Sequence, residues 1–426
     1  MAEQDSQSSS RAEMPQPSST DIAIVGGGMV GISLALMLAQ QNADWRITLI
    51  EALDFQAAAD QRFQSSFDAR STALSAGSQD LLEQLGIWAE LQQHATAIRR
   101  VHVSDRGHFG GSLIDASDYG REAVGYVVEN AWLGQVLTRA LRQQDQIRCL
   151  APASVSAARA VADGYRIQVN EGAGNETDND AVTEMHCSLL VLADGVQSRL
   201  REQLGVDLIS HDYGQSAIIA NVRCDRPHGG VAYERFTSDG PIALLPLGES
   251  DSSHTMALVW TRPEGEAPEL LNASEATFMR ELQRAFGYRQ GIFTATGKRH
   301  LYRLKLNLAR EQCRRSLVLM GNAAHSLHPV AGQGFNLALR DCAALAEVLA
   351  AGCAEGLALS DLRLLDDYLA RQGADQRRTI QMSDTFVRWF SSGEIGRSVL
   401  RNIGLFALDA LPVARHALAR QSMGLR

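Results

Sequence analysis

Residues 21–51 read DIAIVGGGMVGISLALMLAQQNADWRITLIE, and the order of residue types in this stretch decides the fold. IAIV is a short unbroken apolar run, the pattern of a strand buried on both faces of a parallel sheet. Gly26-Gly27-Gly28-Met29-Val30-Gly31 follows and matches GxGxxG at Gly26, Gly28 and Gly31. A helix-like run continues through Gln40, and a second strand, RITLI, ends at Glu51. In such a unit the first glycine permits the tight turn, the second lets backbone approach a pyrophosphate, and the third lets the helix pack close to the sheet. The helix N-terminus offers free N–H groups and a positive dipole end to phosphates. Glu51 lies 51 − 31 = 20 positions beyond the last glycine, where a carboxylate can accept from ribose hydroxyls. An acid there disfavours a 2′-phosphate, so the expected dinucleotide is FAD or NAD rather than NADP. The alternative, a glycine turn without a ligand, does not require strand, glycines, helix, strand and acid to stand in this order.

Two more strands deliver loops onto helices. Residues 189–201, LLVLADGVQSRLR, place Ser198 and Arg201 at i+4 and i+7 from Asp194, on one face of a helix. Alone, this reads better as a strand–turn–helix with Asp194 as N-cap. Residues 314–350, RRSLVLMGNAAHSLHPVAGQGFNLALRDCAALAEVLA, begin with a buried strand. They pass through Gly321, Asn322, Pro329, Gly332, Gln333 and Gly334, and open a long apolar helix near Phe335. The glycines leave backbone amides free for an acceptor.

Composition bounds the remaining possibilities. A chain of 426 residues suits two or three domains, or one large two-lobed fold. The net charge of −9 gives no case for nucleic-acid binding. Six cysteines, at 149, 187, 224, 313, 342 and 353, form no CxxC, so reduced cysteines are expected and no metal site. The first twenty residues are polar without an apolar core segment and read as a disordered tail. No run approaches the roughly 18 apolar residues that a membrane span needs.

GxGxxG with Glu51, DARSTAL at 68–74, ADGxxSxxR from Ala193 and GNAAHxxxPxxGQGxN from Gly321 together resemble the flavin-dependent aromatic monooxygenases of the para-hydroxybenzoate hydroxylase class. The resemblance runs from about residue 20 to about residue 345. It implies FAD as cofactor, with NAD(P)H as transient electron donor and O2 as co-substrate. Gly26, Gly28, Met29, Val30 and Gly31 would hold the pyrophosphate, and Glu51 the adenosine ribose. Arg70 would lie along the ribityl and pyrophosphate, and Gln135 at the flavin side. Asp194 and Gly195 would support FAD and the nicotinamide site. Asn322 would meet the ribityl chain where most of the class has Asp; an amide still accepts one bond and donates another. Pro329, Gly332, Gln333, Gly334 and Asn336 would cradle the ring, with the helix dipole favouring the anionic reduced flavin. His325, His328 and Pro329 are the catalytic candidates, and for both histidines capping or packing of the loop is the favoured role.

VSDRGHFG at 103–110 and the Gly-Asn-Ala-Ala variant at 321–324 resemble the ubiquinone-biosynthesis subgroup, in particular 2-polyprenyl-6-methoxyphenol hydroxylases. The implied reaction is hydroxylation of a prenylated methoxyphenol para to its hydroxyl, through a flavin hydroperoxide. Alternatives are a ubiquinone-precursor hydroxylase acting at another ring carbon, a FAD-dependent prenyl-lipid epoxidase or reductase, and a flavin-binding assembly subunit without turnover. Implied surroundings are a ubiquinone-biosynthesis enzyme complex and a cytoplasmic location with peripheral contact at the inner membrane face.

The expected fold is α/β: a discontinuous Rossmann-like FAD-binding lobe with an inserted, mainly antiparallel substrate sheet and a helical C-terminus. The expected division is a tail over 1–19; the FAD-binding domain over 20–78, 125–205 and 300–350; the substrate domain over 79–124 and 206–299; and helices over 351–426. RVHVSD, SAIIANVRC, VAYERFT, PIALLPLG and TMALVWT are its antiparallel strands. Arg235, Phe236 and Pro246 either line a pocket or pack the sheet. The arginines between Arg388 and Arg426, interleaved with apolar residues, read either as an amphipathic membrane or partner surface or as helices packed on the FAD lobe.

Overall fold

The computed structural model describes residues 18–54, 66, 70–106, 111–172, 181–249, 251–327, 332–390, 420 and 423–424. Its first sheet has eight strands. Five of them are mutually parallel, in the order Leu317–Leu319, Ala181–Leu192, Ser18–Val25, Ile47–Ile50 and Ile147–Leu150. The register aligns their carboxyl ends: Val25 lies beside Ile50 and Leu192, and Ile50 beside Leu150. The loops that leave those ends therefore emerge on one edge, where open α/β sheets bind ligands.

Both faces of this sheet are covered, which is why its strands are apolar throughout. Ile22, Ile24, Leu49, Leu189 and Val191 pack against the helices Met29–Gln41, Asn130–Arg142 and Gln333–Ala354. Val25, Ile50, Leu190 and Leu192 pack on the other side with Tyr165, Ile167 and Val169 of the antiparallel strand Gly164–Glu171. Each fully buried Ile or Leu contributes about 1.5–3 kcal/mol. The Met29 helix is buried at every position from Gly31 to Ala39, so it is a core helix rather than an amphipathic one.

The second sheet has nine strands and is antiparallel apart from the parallel pair Arg100–Asp105 and Val231–Phe236. All five strand-like stretches named from the sequence lie in it. It also takes in His300–Ala309 and the short strand His325–Ser326, beyond residue 299, where the sequence reading ends its second region. The helix Glu275–Phe286 closes one face. A small antiparallel sheet of Ser71–Ser75, Gly125–Glu129 and Ala95–Ile98 sits between the two large ones, joined through a core containing Val127, Ala232, Leu247 and Ala257.

This is the α/β architecture with an inserted, mainly antiparallel sheet that the sequence predicts. The first strand begins at Ser18, inside the span read as tail. After residue 350 the described chain is helical, with Leu362–Phe390 packed on the Gln333 helix through Leu364, Leu365 and Tyr368. Arg397, Arg401, Arg415 and Arg426 lie outside the described residues. The six cysteines are all unpaired, and burial pushes the thiols of Cys187, Cys224 and Cys313 up to about 12. Among the described residues no helix is long and apolar enough to cross a membrane, and no cluster of metal-ligating side chains occurs.

Candidate functional site

The three loops named from the sequence meet at the carboxyl edge of the parallel sheet. Gly26 turns with φ +107°, and a Cβ there would lie 2.5 Å from the carbonyl oxygen of Ala193, so the first and second loops touch. Gly31 brings the helix against the strand: a Cβ on it would lie 1.8 Å from Gly26 O. Gly28 is different. Its φ is an ordinary −70°, and a Cβ on it would meet nothing within 4 Å. The protein has no internal need for glycine there, and the open volume faces the uncapped N-terminus of the Met29 helix. A pyrophosphate fits that cradle in chemistry and position.

Glu51 reaches back to the same loop. Its Oε2 accepts from the Gly27 N–H at 2.6 Å and its Oε1 from the Leu53 N–H at 2.9 Å. A carboxylate has about four acceptor positions, so both oxygens keep capacity for ribose hydroxyls. Met29 and Val30 are half-buried at the start of the helix, and Val30 packs 3.1 Å from the position a Cβ would take on Gly321. The third loop thus abuts the first.

Asp194 follows the strand Ala181–Leu192, and its Oδ2 accepts from Ser198 Oγ at 2.7 Å. Burial pushes its carboxyl above the usual range, against the Ser198 bond, although its outer edge is exposed. The helix cap is Ser198, which accepts from Arg201 N, and not Asp194. Gly195 has φ +90°, with open space around it. Arg70 is exposed and donates from Nη1 to Tyr302 Oη at 2.9 Å, which links the loop edge to the second sheet. Gln135, on the Asn130–Arg142 helix, has a buried Oε1 with no hydrogen-bond partner among the described residues. An orphaned acceptor of this kind suits a flavin N–H.

Asn322 is exposed in the one-turn helix Gly321–Ala323. Gly332, at φ +60°, and an uncapped first turn open the Gln333–Ala354 helix. Gln333 is buried, and Gly334 borders open space. The Asn336 side chain is engaged within the protein. Its Oδ1 accepts from Ser75 N and Ser78 Oγ at 2.8 and 2.7 Å, and its Nδ2 donates to Ala73 O and Gly332 O at 2.9 and 2.8 Å. It ties the loop to its neighbours. Pro329, with His328, lies outside the described residues.

His325 is buried at 5% exposure, and its Nε2 lies 2.7 Å from Oδ2 of Asp341, which has no exposed surface. Gln376 donates to the other Asp341 oxygen at 3.0 Å, and Tyr368 and Gln312 continue the chain of hydrogen bonds. This polar network under the loop was not legible in the sequence, because Asp341, Tyr368 and Gln376 are scattered over two helices. It favours the packing role of His325 over the catalytic one.

The face of the second sheet that the Glu275–Phe286 helix leaves free packs in part on the small sheet, through Ala232, Leu247 and Ala257. Val103, Ile219, Ala243, Leu245 and Val259 alternate onto that face and are half-buried, an apolar wall beside Tyr302. The opposite face holds Ile218, Tyr233, Leu258 and Trp260 against Phe278 and Phe286. Arg235 points to that covered side, where its Nη1 lies 3.3 Å from Ser104 Oγ. Phe236 and Pro246 are buried in packing.

An open cradle at a helix N-terminus, an acid at the end of the neighbouring strand and an apolar sheet face fit a flavin enzyme. The FAD binding domain family matches residues 19–383, and the chain belongs to that family. It is a FAD-dependent monooxygenase, of the class that uses NAD(P)H and O2. It is 34% identical over 407 residues to the ubiquinone hydroxylase UbiL of Rhodospirillum rubrum, covering 95% of this chain and 89% of that one. It is 33% identical over 409 residues to the 3-demethoxyubiquinol 3-hydroxylase of Escherichia coli, covering 95% and 99%. Among solved structures, the p-nitrophenol 4-monooxygenase PnpA of Pseudomonas putida DLL-E4 shares the fold at a TM-score of 0.73 and 17% identity, over 96% of this chain and 99% of that one.

Proposed function

We propose that the protein hydroxylates a prenylated methoxyphenol of ubiquinone biosynthesis, with FAD, NAD(P)H and O2. The observation that carries this reading is the half-buried apolar wall of the second sheet, on a chain 95% of which aligns with a ubiquinone hydroxylase and with a 3-demethoxyubiquinol 3-hydroxylase. A wall of Val, Ile, Leu and Ala suits an aromatic ring with a hydrocarbon tail and excludes water.

In this reading Gly26, Gly28, Met29, Val30 and Gly31 hold the pyrophosphate and Glu51 the ribose. Arg70 and Asn322 flank the ribityl chain, and Asp194 and Gly195 the cofactor's middle. Gln135 and backbone groups from Pro329, Gly332, Gln333 and Gly334 meet the ring, with Asn336 holding that loop in place. Bound FAD supplies oxygen activation; the chain's residues bind, orient and keep the site dry. The segments 20–78, 125–205 and 300–350 form the cofactor part and 79–124 with 206–299 the substrate part, strand His300–Ala309 serving both. A polyprenyl substrate resides in a membrane, so the reading extends to peripheral contact at the inner membrane face and to association with enzymes of the same pathway.

The ring carbon has two readings. The motif at 103–110 favours the position para to the hydroxyl, and the name of the Escherichia coli relative favours another carbon. NAD(P)H consumption by the FAD-loaded protein, with and without a short-chain prenyl methoxyphenol, tests the function. Stimulated consumption with a hydroxylated product is expected, and NMR of the product gives the carbon. A yellow protein that never responds to the phenol would overturn the reading.

A further inference from the structure

A carboxylate stands within the apolar wall. Glu234 lies in the strand Val231–Phe236, paired with Val103 on one side and Ala243 on the other. Strand alternation puts it on the face opposite Tyr233, which is packed under the Glu275–Phe286 helix. Glu234 therefore lies on the face turned away from that helix, the face that packs in part on the small sheet through Ala232, Leu247 and Ala257. Its Oε1 is buried and has no hydrogen-bond partner among the described residues. Arg235 and His102, its neighbours in sequence and on the adjacent strand, are turned to the other face, where Arg289 also lies. Strand alternation places Asp105, opposite Phe236, His300, opposite Ile219, and Arg223, opposite Thr255, on the same face as Glu234, and Arg70 reaches Tyr302 of that face. Burial raises its carboxyl to about 7, with no charge contributing.

A buried acceptor without a donor costs free energy, which a ligand donor removes. We propose that Glu234 receives the ring hydroxyl of the phenol substrate and takes its proton during hydroxylation. The inference rests on the phenol-hydroxylase reading. The balance is closed by that reaction: the O–O bond of O2 breaks, one oxygen atom enters the ring, the other leaves as water together with the proton released from the ring carbon, and the electrons come from NAD(P)H. As the new C–O bond forms, the substrate O–H bond breaks, its electron pair moves into the ring, and the proton passes to Glu234. When the hydroxylated carbon loses its hydrogen as a proton and the ring becomes aromatic again, Glu234 returns its proton to the ring oxygen. Glu234 is then a catalytic residue that also fixes which ring carbon faces the flavin.

The test compares wild type, Glu234→Gln and Glu234→Asp, each loaded with FAD and supplied with a short-chain prenyl methoxyphenol. Glu234→Gln keeps shape and hydrogen bonding but cannot take a proton. Its kcat should fall by about 100-fold, the low end for general-base loss, with Glu234→Asp between the two. The wild-type kcat should rise with pH through neutrality, as the carboxylate form accumulates, and the Gln variant should lose that rise. Its circular dichroism and its bound-FAD spectrum should match wild type, which shows that the variant folds and holds the cofactor. Wild-type kcat and pH profile in Glu234→Gln would overturn the assignment of Glu234 alone. A wild-type protein that does not hydroxylate the phenol would overturn the function together with it.

Discussion

The carboxyl edge of the parallel sheet and the apolar face of the second sheet build one site by opposite means. The edge works with backbone: Gly26, Gly28 and Gly31 clear space, and the ends of two helices supply N–H groups. The face works with side chains: an apolar wall and, within it, the carboxylate of Glu234. Backbone chemistry constrains residue type, because only glycine fits; side-chain chemistry on a strand does not. Sequence therefore speaks clearly about the cofactor and quietly about the substrate.

Substitutions at the edge should separate folding from binding most sharply. In an ordinary helix Gly→Ala stabilises by about 1 kcal/mol. At Gly31 the added Cβ would overlap Gly26 O, so Gly31→Ala should instead cost roughly 5 kcal/mol or prevent folding, seen in the Tm and in circular dichroism. Gly28→Ala should leave the Tm of the FAD-free protein unchanged and abolish retention of FAD on gel filtration, because the new methyl enters only the open cradle. Equal destabilisation by both would break the contrast between a packing glycine and a ligand glycine.

Next in size is the network beneath the third loop. Asp341→Ala leaves His325 and Gln376 without their buried acceptor and should cost about 3–5 kcal/mol in denaturant unfolding. Asn336→Ala removes four hydrogen bonds that fasten the loop and should cost about 2–4 kcal/mol, with weaker FAD retention as a consequence.

On the sheet face the sign reverses with pH. The carboxyl of Glu234 titrates at about 7 in the fold, against an ordinary 4.5. A raised acid contributes stability that is complete below the unfolded value and is lost as pH rises through the folded one. Glu234→Gln should thus match wild type near pH 4.5 and exceed it above neutrality, by up to about 3 kcal/mol. A variant less stable than wild type at high pH would mean that the carboxylate has a partner in the fold. The smallest effect belongs to the surface pair Arg46–Asp21, whose Arg side chain is 62% exposed. Arg46→Ala should change stability by less than about 1 kcal/mol.

Legibility follows the same division. The order of strand, glycines, helix, strand and Glu51 predicted the parallel lobe, and the alternating stretches predicted the second sheet, because each pattern is what its environment requires. Asn336 was legible as a position but not in its role, since only the fold shows that its amide is occupied by Ser75, Ser78, Ala73 and Gly332. Asp194 and Ser198 were both visible, yet which one caps the helix depends on loop geometry. Glu234 was hidden in AYERF, because a charged residue at alternate strand positions is the usual look of a solvent face. Its meaning comes from the apolar wall around it.

The measurement that bears most directly on the account is incorporation of isotopically labelled dioxygen by the FAD-loaded protein, given NAD(P)H and a short-chain prenyl methoxyphenol. One labelled oxygen in the recovered phenol is the predicted result. NAD(P)H oxidised to give hydrogen peroxide, with the phenol recovered unchanged, would contradict it.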